Sequence, residues 1–229
     1  MRTVVITGAD RGVGFALCQC FAKGGWRIFA GQFMPEWKEL ENLKKVYGDQ
    51  LILIPMDVGN TESVKKAVEL IAQETESIDM IINCAGISSM LDNQKMLNQI
   101  VNVNTIGALR IVEGLLPFMK SEMKRLCFVS SEAGCVSLAH RTDSFSYCMS
   151  KRALNMAVKL MFNQLSPEGY TFRLYHPGWV RSYMMGTKSD VGNFEPEETA
   201  EVAYKQFTED REWEDVLAMT DVSNELWPF

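Results

Sequence analysis

Two ionisable side chains stand four positions apart in Tyr147-Cys148-Met149-Ser150-Lys151. On a helix that spacing puts both on one face. A phenol titrates near 10, so at neutral pH it is a slow base, and a nearby ammonium favours its phenolate. Bringing it near 7 takes about 3 units, or roughly 4 kcal/mol. Such a pair can act as an acid–base unit, although Tyr-x-x-x-Lys by itself is common on helix surfaces. Ser130 and Ser131 close an apolar run, Leu126 to Val129. A hydroxyl at a strand end can hydrogen-bond a substrate oxygen and stabilise charge that develops on it. Asn104 is a poor helix former in a helical stretch, between Val103 and Ile106. A specific hydrogen bond is one reason for an amide there.

A third element of chemistry is Thr7-Gly8-Ala9-Asp10-Arg11-Gly12-Val13-Gly14, which follows the apolar Val4-Val5-Ile6. Glycines let a backbone turn sharply and approach a pyrophosphate, and a helix N-terminus beyond them offers N–H donors and a positive dipole end. The spacing Gly-x-x-x-Gly-x-Gly departs from the Gly-x-Gly-x-x-Gly fingerprint. The stretch that would meet the adenosine ribose is Ala30-Gly31-Gln32-Phe33. It has no carboxylate of the kind that holds a ribose 2′-hydroxyl in NAD sites. Arg11 can face a 2′-phosphate as a planar donor, so NADP(H) is expected ahead of NAD(H).

These residues need a scaffold. Short continuous apolar runs alternate with longer amphipathic stretches. Strands are expected over about 3–6, 27–30, 51–54, 80–82, 126–129 and 171–175. Helices are expected over about 12–23, 36–47, 61–73, 94–119 (bent near Gly107), 147–165 and 195–207, with an edge strand over 216–219. Continuous rather than alternating apolar strands imply a parallel sheet covered on both faces. The expectation is one α/β domain over residues 1–229, a doubly wound Rossmann fold with a seven-stranded, mostly parallel sheet.

The chain has 229 residues and a net charge of −6, with no basic footprint for nucleic acid or an anionic membrane. No run approaches ~18 apolar residues, and the N-terminus lacks a signal-peptide pattern; a cytoplasmic protein is expected. Six cysteines, no CxxC pair and two histidines argue against zinc and for free thiols.

The order of these features resembles the short-chain dehydrogenase/reductase family along essentially the whole chain, and finer features are similar to its C-factor and sniffer-type carbonyl reductase branch. Thr7-Gly8-x-x-x-Gly12-x-Gly14 resembles the cofactor loop, Asp57-Val58 the adenine contact, and Asn83-Cys84-Ala85-Gly86 the Asn-Asn-Ala-Gly motif with Cys84 in place of an Asn. Asn104, Ser131, Tyr147 and Lys151 match the tetrad; Pro177-Gly178 matches the motif after the sixth strand, with Trp179 and Val180 following. The resemblance implies hydride transfer between NADP(H) and a small carbonyl or alcohol compound. Tyr147 would move the proton and Ser131 hold the oxygen. Lys151 would hold the ribose and lower the Tyr147 pKa, and Asn104 would anchor a water. Cofactor contacts would come from Gly8, Asp10, Arg11, Gly12, Val13, Gly14, Gln32, Asp57, Val58, Asn83, Ala85, Gly86, Tyr147, Lys151, Pro177, Gly178, Val180 and Ser182, the last standing where the family has Thr. The segment 183–194 would cover the substrate, with Gly186 and Gly192 as hinges. Met90, Leu138, Trp179 and Met184 would wall it. His176, outside the tetrad, would be structural. Helices near Asn104 and Tyr147 pair in this family, which implies a homodimer. A C-factor-like signalling protein that binds dinucleotide without turnover is the alternative.

Overall fold

The computed structural model describes residues 1–89, 93–184 and 186–229. Met90 and Met185 lie outside them. One eight-stranded sheet forms the centre. Its strands are β1 (Thr3–Ile6), β2 (Arg27–Gln32), β3 (Leu51–Pro55), β4 (Met80–Asn83), β5 (Arg125–Val129), β6 (Thr171–His176), β7 (Met219–Asp221) and β8 (Leu226–Trp227). Their order is β3-β2-β1-β4-β5-β6-β7-β8. All pairs are parallel except β7 with β8. The doubly wound expectation therefore stands, with one more strand than the seven expected. The additional strand is a two-residue antiparallel return, too short to show a pattern in sequence. The edge strand expected over 216–219 lies at Met219–Asp221 instead.

Successive strand residues serve opposite layers, as the pleat requires. Val4 and Ile6 pack with Leu17 and Phe21 of α1 (Gly12–Lys23), Leu40 of α2 (Glu39–Tyr47) and Ala203 and Phe207 of α7 (Pro196–Thr208). Val5 packs instead with Ile71 of α3 (Thr61–Glu74), Ile111 of α5 (Gly107–Leu115) and Leu154 and Val158 of α6 (Phe145–Leu165). Each layer buries an apolar stripe, which is why the strands read as unbroken apolar runs. The helix start expected near residue 36 falls at Glu39, because Met34–Trp37 closes a turn, with the Trp37 N–H donating to the Met34 carbonyl at 3.0 Å.

The long helix expected over 94–119 is interrupted. It divides into α4 (Gln94–Val101), a π-helical turn (Asn102–Ile106), α5 and a short 3-10 turn (Leu116–Phe118). Side chains hold the wide turn open. Asn102 Nδ2 donates to the Gly59 carbonyl at 2.7 Å, and Arg110 donates to Asn102 Oδ1 at 2.8 Å and to the Val58 carbonyl at 3.2 Å. Gly107 lies so close to Val58 that an added Cβ would stand 2.9 Å from its Cγ2. No helix among the described residues is long and apolar enough to cross a membrane.

Candidate active site

Strand order reverses between β1 and β4, and at the carboxyl ends of such strands open α/β sheets form their crevice. The glycine loop leaves β1 there. Thr7 Oγ1 accepts the N–H groups of Cys84 and Ala85, both at 3.1 Å, which ties the loop to the turn after β4. Gly8 has φ +64°, and a Cβ on it would stand 2.7 Å from Ala85 Cα; one on Gly14 would stand 2.1 Å from the Gly8 carbonyl oxygen. The three segments fit only with glycine at both places. Gly12 has φ +58° and faces Ser182, whose Cβ would lie 3.8 Å away. The N-cap residue Arg11 makes no side-chain capping bond, which leaves leading N–H groups of α1 available to an anion at the crevice. Two buried polar atoms without a partner among the described residues, Gln32 Nε2 and Asn83 Oδ1, come from the ends of β2 and β4. A cradle that side chains would fill, a bare helix start and orphaned polar atoms fit a dinucleotide. Among the described residues no group of three or more His, Cys, Asp or Glu could hold a metal ion.

The tetrad residues converge at the same edge. Lys151 is buried and donates from Nζ to the Val129 carbonyl at 2.9 Å. Its Nζ lies 5.7 Å from the Tyr147 ring centroid. Asn104, 2% exposed, sits in the π-helical turn. Its Oδ1 accepts the Ile87 N–H at 2.8 Å, while Nδ2 donates to the Ile87 carbonyl at 2.9 Å and to Ser150 Oγ at 3.0 Å. The widened turn thus aims Asn104 at the segment after β4, and Thr105 Oγ1, donating to the Ser150 carbonyl at 2.8 Å, fastens it to α6. A Cβ on Gly86 would lie 3.5 Å from Asn104 Oδ1 and 3.8 Å from Lys151 Nζ. Its bare backbone keeps both within reach of one small volume. Ser131, just past β5, accepts the Ala133 N–H at 3.1 Å and hydrogen-bonds Tyr147. Ser130 points the other way, bonded to Asn155 Oδ1 at 2.5 Å.

The electrostatics depart from the expectation that Lys151 draws the Tyr147 phenol towards neutrality. Burial pushes Tyr147 up to about 12, the Ser131 hydrogen bond opposes this, and Glu132 and Arg141 follow with opposite signs. Burial likewise brings Lys151 down to about 8. Desolvation disfavours the charged form of each and is the largest cause of both shifts.

Several expected cofactor contacts have other partners. Arg11 lies with its guanidinium 5.0 Å from the Trp37 ring centroid and 5.8 Å from that of Tyr183, and donates to the Gly186 carbonyl at 3.3 Å. Asp10 is buried, and its carboxylate accepts the backbone N–H groups of Phe33 and Met34 at 3.0 and 2.8 Å. Asp57 Oδ1 accepts the Gly59 N–H at 2.8 Å, and Val58 is buried against Gly107. Val13 lies in the first turn of α1. Beyond β6, Pro177 accepts from Thr199 Oγ1 at 2.9 Å, and Gly178, φ +75°, lets the Phe194 ring approach to 2.7 Å of its missing Cβ. Val180 bridges to Phe194, and Ser182 accepts the Ser189 N–H at 2.9 Å. Trp179 and Met184 are 61% and 38% exposed and Leu138 is 48% exposed, so none forms a closed wall. His176 is buried, its ring edge-on to Trp227 at 4.9 Å. The sequence reading missed the Trp37–Tyr183 contact at 4.9 Å and the roles of Thr7 and Thr105. The π-helical turn had one signal, an Asn inside a helix.

Comparison with known proteins agrees with this architecture. The family model described as short chain dehydrogenase matches residues 2–191. A vibriobactin-specific 2,3-dihydro-2,3-dihydroxybenzoate dehydrogenase of Vibrio cholerae is 30% identical over 190 residues, covering 79% of this chain and 71% of that protein. The C-signal protein of Myxococcus xanthus is 39% identical over 121 residues, covering 49% and 71%. The NADPH-bound carbonyl reductase from chicken fatty liver superposes with a TM-score of 0.88 over 100% of this chain and 99% of that one, at 24% identity, a likeness of fold.

Proposed function

The chain belongs to the short-chain dehydrogenase family, and from that premise we propose that it is an NADP(H)-dependent oxidoreductase that reduces a carbonyl compound. The hydrogen bond of Tyr147 with Ser131, the closeness of Lys151 to the Tyr147 ring, and the approach of Lys151 and Asn104 to Gly86 support this reading. A bound nicotinamide supplies the hydride. The Tyr147 phenol, held near 12, keeps its proton at neutral pH and is the acid that the carbonyl oxygen needs as charge develops on it. Ser131 shares a hydrogen bond with that phenol and steadies the same oxygen. Lys151, anchored by Val129, carries positive charge near the phenol below pH about 8 and favours the phenolate left once Tyr147 has given up its proton, which the phenolate takes back from solvent. Asn104 positions the backbone of Ile87, and with it the wall of the cleft. Preference for the 2′-phosphorylated cofactor is supported by the missing carboxylate after β2, by the commitment of Asp10 to the Phe33 and Met34 N–H groups, and by Arg11 nearby. The exposed Trp179 and Met184 favour an apolar aldehyde or ketone.

Replacing Tyr147 by Phe tests the chemistry. Carbonyl reduction should fall by about 10²–10⁴, the contribution of a positioned acid, with NADPH binding retained; unchanged turnover would remove Tyr147 from its role. The likeness to C-signal favours a second reading, in which the chain binds dinucleotide and signals. Under it the biological output survives Tyr147→Phe, whereas under the enzymatic reading it does not. A homodimer through α6 is supported by the exposed Met149, Met156 and Leu160 on that helix. Sedimentation velocity showing monomer alone would reject it.

A further inference from the structure

Arg11 leaves the cofactor loop and meets aromatic rings from two other segments. Its guanidinium carbon is 5.0 Å from the Trp37 ring centroid and 5.8 Å from the Tyr183 centroid. The two rings meet edge-to-face at 4.9 Å, and Arg11 Nη1 donates to the Gly186 carbonyl at 3.3 Å. Trp37 belongs to the connection between β2 and α2, where an adenosine ribose would lie; Tyr183 and Gly186 belong to the segment between β6 and α7, expected to cover the substrate. The base of that segment is held independently. Arg181 pairs with Glu195 at 2.5 Å and donates to the Gly192 carbonyl at 2.5 Å, Lys188 pairs with Glu195 at 3.0 Å, and Val180 bridges to Phe194. Against this fixed stem, Tyr183 and Gly186 reach outwards to one cation.

We propose that Arg11, Trp37 and Tyr183 form a latch joining the segment after β6 to the cofactor loop, and that a cofactor 2′-phosphate tightens it. Rings bind a guanidinium through its faces, whereas an anion binds it through the N–H donors on its edge. Among the described residues its edge makes one contact, to Gly186, so phosphate and rings use the same group without competing for it. Stacking also orders a long side chain in advance, which lowers the entropy lost when the phosphate arrives. The reciprocal consequence follows from linkage: what favours the latched segment favours the phosphorylated cofactor by the same factor. Trp37 and Tyr183 are on this account positioning residues, acting through Arg11. The coupling half of the proposal rests on the oxidoreductase reading above; the latch itself does not.

Two variants separate ring chemistry from bulk. Trp37→Phe keeps an aromatic face, and Trp37→Leu keeps an apolar side chain without one. Amide hydrogen exchange over residues 183–190, read without cofactor, should be roughly two- to fivefold faster in Trp37→Leu, the factor expected for an exposed cation–π contact, and close to wild type in Trp37→Phe. Calorimetric titration should then show the NADPH-over-NADH affinity ratio falling by roughly the same factor in Trp37→Leu, with NADH affinity unchanged and the ratio restored in Trp37→Phe. Unchanged exchange in Trp37→Leu would overturn the latch. Equal loss of both cofactors, or an unchanged ratio, would overturn its coupling to the phosphate. Failure of either cofactor to bind wild-type protein would sink the oxidoreductase reading together with that coupling, while the exchange measurement would still decide the latch.

Discussion

At the scale of single residues, Lys151 shows how the site works against the fold. Its pKa lies near 8 because burial penalises the ammonium, well below the usual lysine value near 10.4. The unfolded chain therefore binds more protons than the folded one between pH about 8 and 10.4, so the destabilisation is full below 8 and is relieved as pH rises through that window. A shift of this size corresponds to roughly 3 kcal/mol, offset by about 1 kcal/mol for the bond to Val129. Lys151→Met should accordingly raise the stability at pH 7 by about 2 kcal/mol and abolish turnover. Denaturant unfolding at pH 7 and 10 checks both size and sign: the gain over wild type should shrink at the higher pH. The pairing of Tyr147 with Lys151 was legible in sequence because helix geometry alone determines it. The Arg11–Trp37–Tyr183 contact was not, since its members come from three connections with no shared period, and nothing local to any of them signals the others.

At the scale of elements, the junction of β1 and α1 concentrates the tightest packing. An alanine inside a helix is ordinarily better than glycine by about 1 kcal/mol. At Gly14 the new Cβ would stand 2.1 Å from the Gly8 carbonyl oxygen, a backbone atom that cannot rotate aside. Overpacking of this kind costs about 1–3 kcal/mol or more, so the clash wins. Gly14→Ala should lower the thermal midpoint and eliminate NADPH binding in calorimetry, whereas a stabilised variant that still binds would show that the loop yields. Element types were readable because each layer buries one apolar stripe. What periodicity could not show was the widening of one turn at Asn102–Ile106, which depends on Gly59 and Val58 from the connection before α3. An α-helical and a π-helical turn of the same residues have nearly the same apolar pattern, and only distant hydrogen bonds distinguish them.

For the whole molecule, chemistry and anchoring occupy opposite ends of the sheet. Away from the crevice, Arg125 and Arg173 are 2% and 1% exposed. Arg173 donates to Glu214 at 2.6 Å and to the Glu209 carbonyl at 2.7 Å; Arg125 donates to the Phe207 carbonyl at 2.9 Å and to Asp210 at 2.7 Å. These partners lie in or after the last turn of α7, an irregular stretch dense in carboxylates, Glu209-Asp210-Arg211-Glu212-Trp213-Glu214-Asp215, whose pairing with β5 and β6 no local pattern signals. Burial would raise the Glu214 carboxyl, but Arg173 and the Arg211 N–H hold it below its usual value. A depressed carboxyl contributes stability above its unfolded pKa and loses it as pH falls through the folded one, so the fold should weaken below pH about 4. Glu214→Gln should cost about 1–2 kcal/mol at pH 7, below the range for a fully buried pair because Glu214 is partly exposed, and flatten that acid limb in urea unfolding. The sheet's two margins carry a different consequence. β3 ends in Pro55, and Lys44 Nζ already occupies its Leu51 carbonyl at 2.9 Å; β8 has two residues and is followed by Pro228. Exposed strand margins invite another chain to add its own strand. Proline, a lysine on the carbonyl row and extreme shortness each interrupt the template, so concentrated protein should stay dispersed, without the fibrillar association that open β margins nucleate.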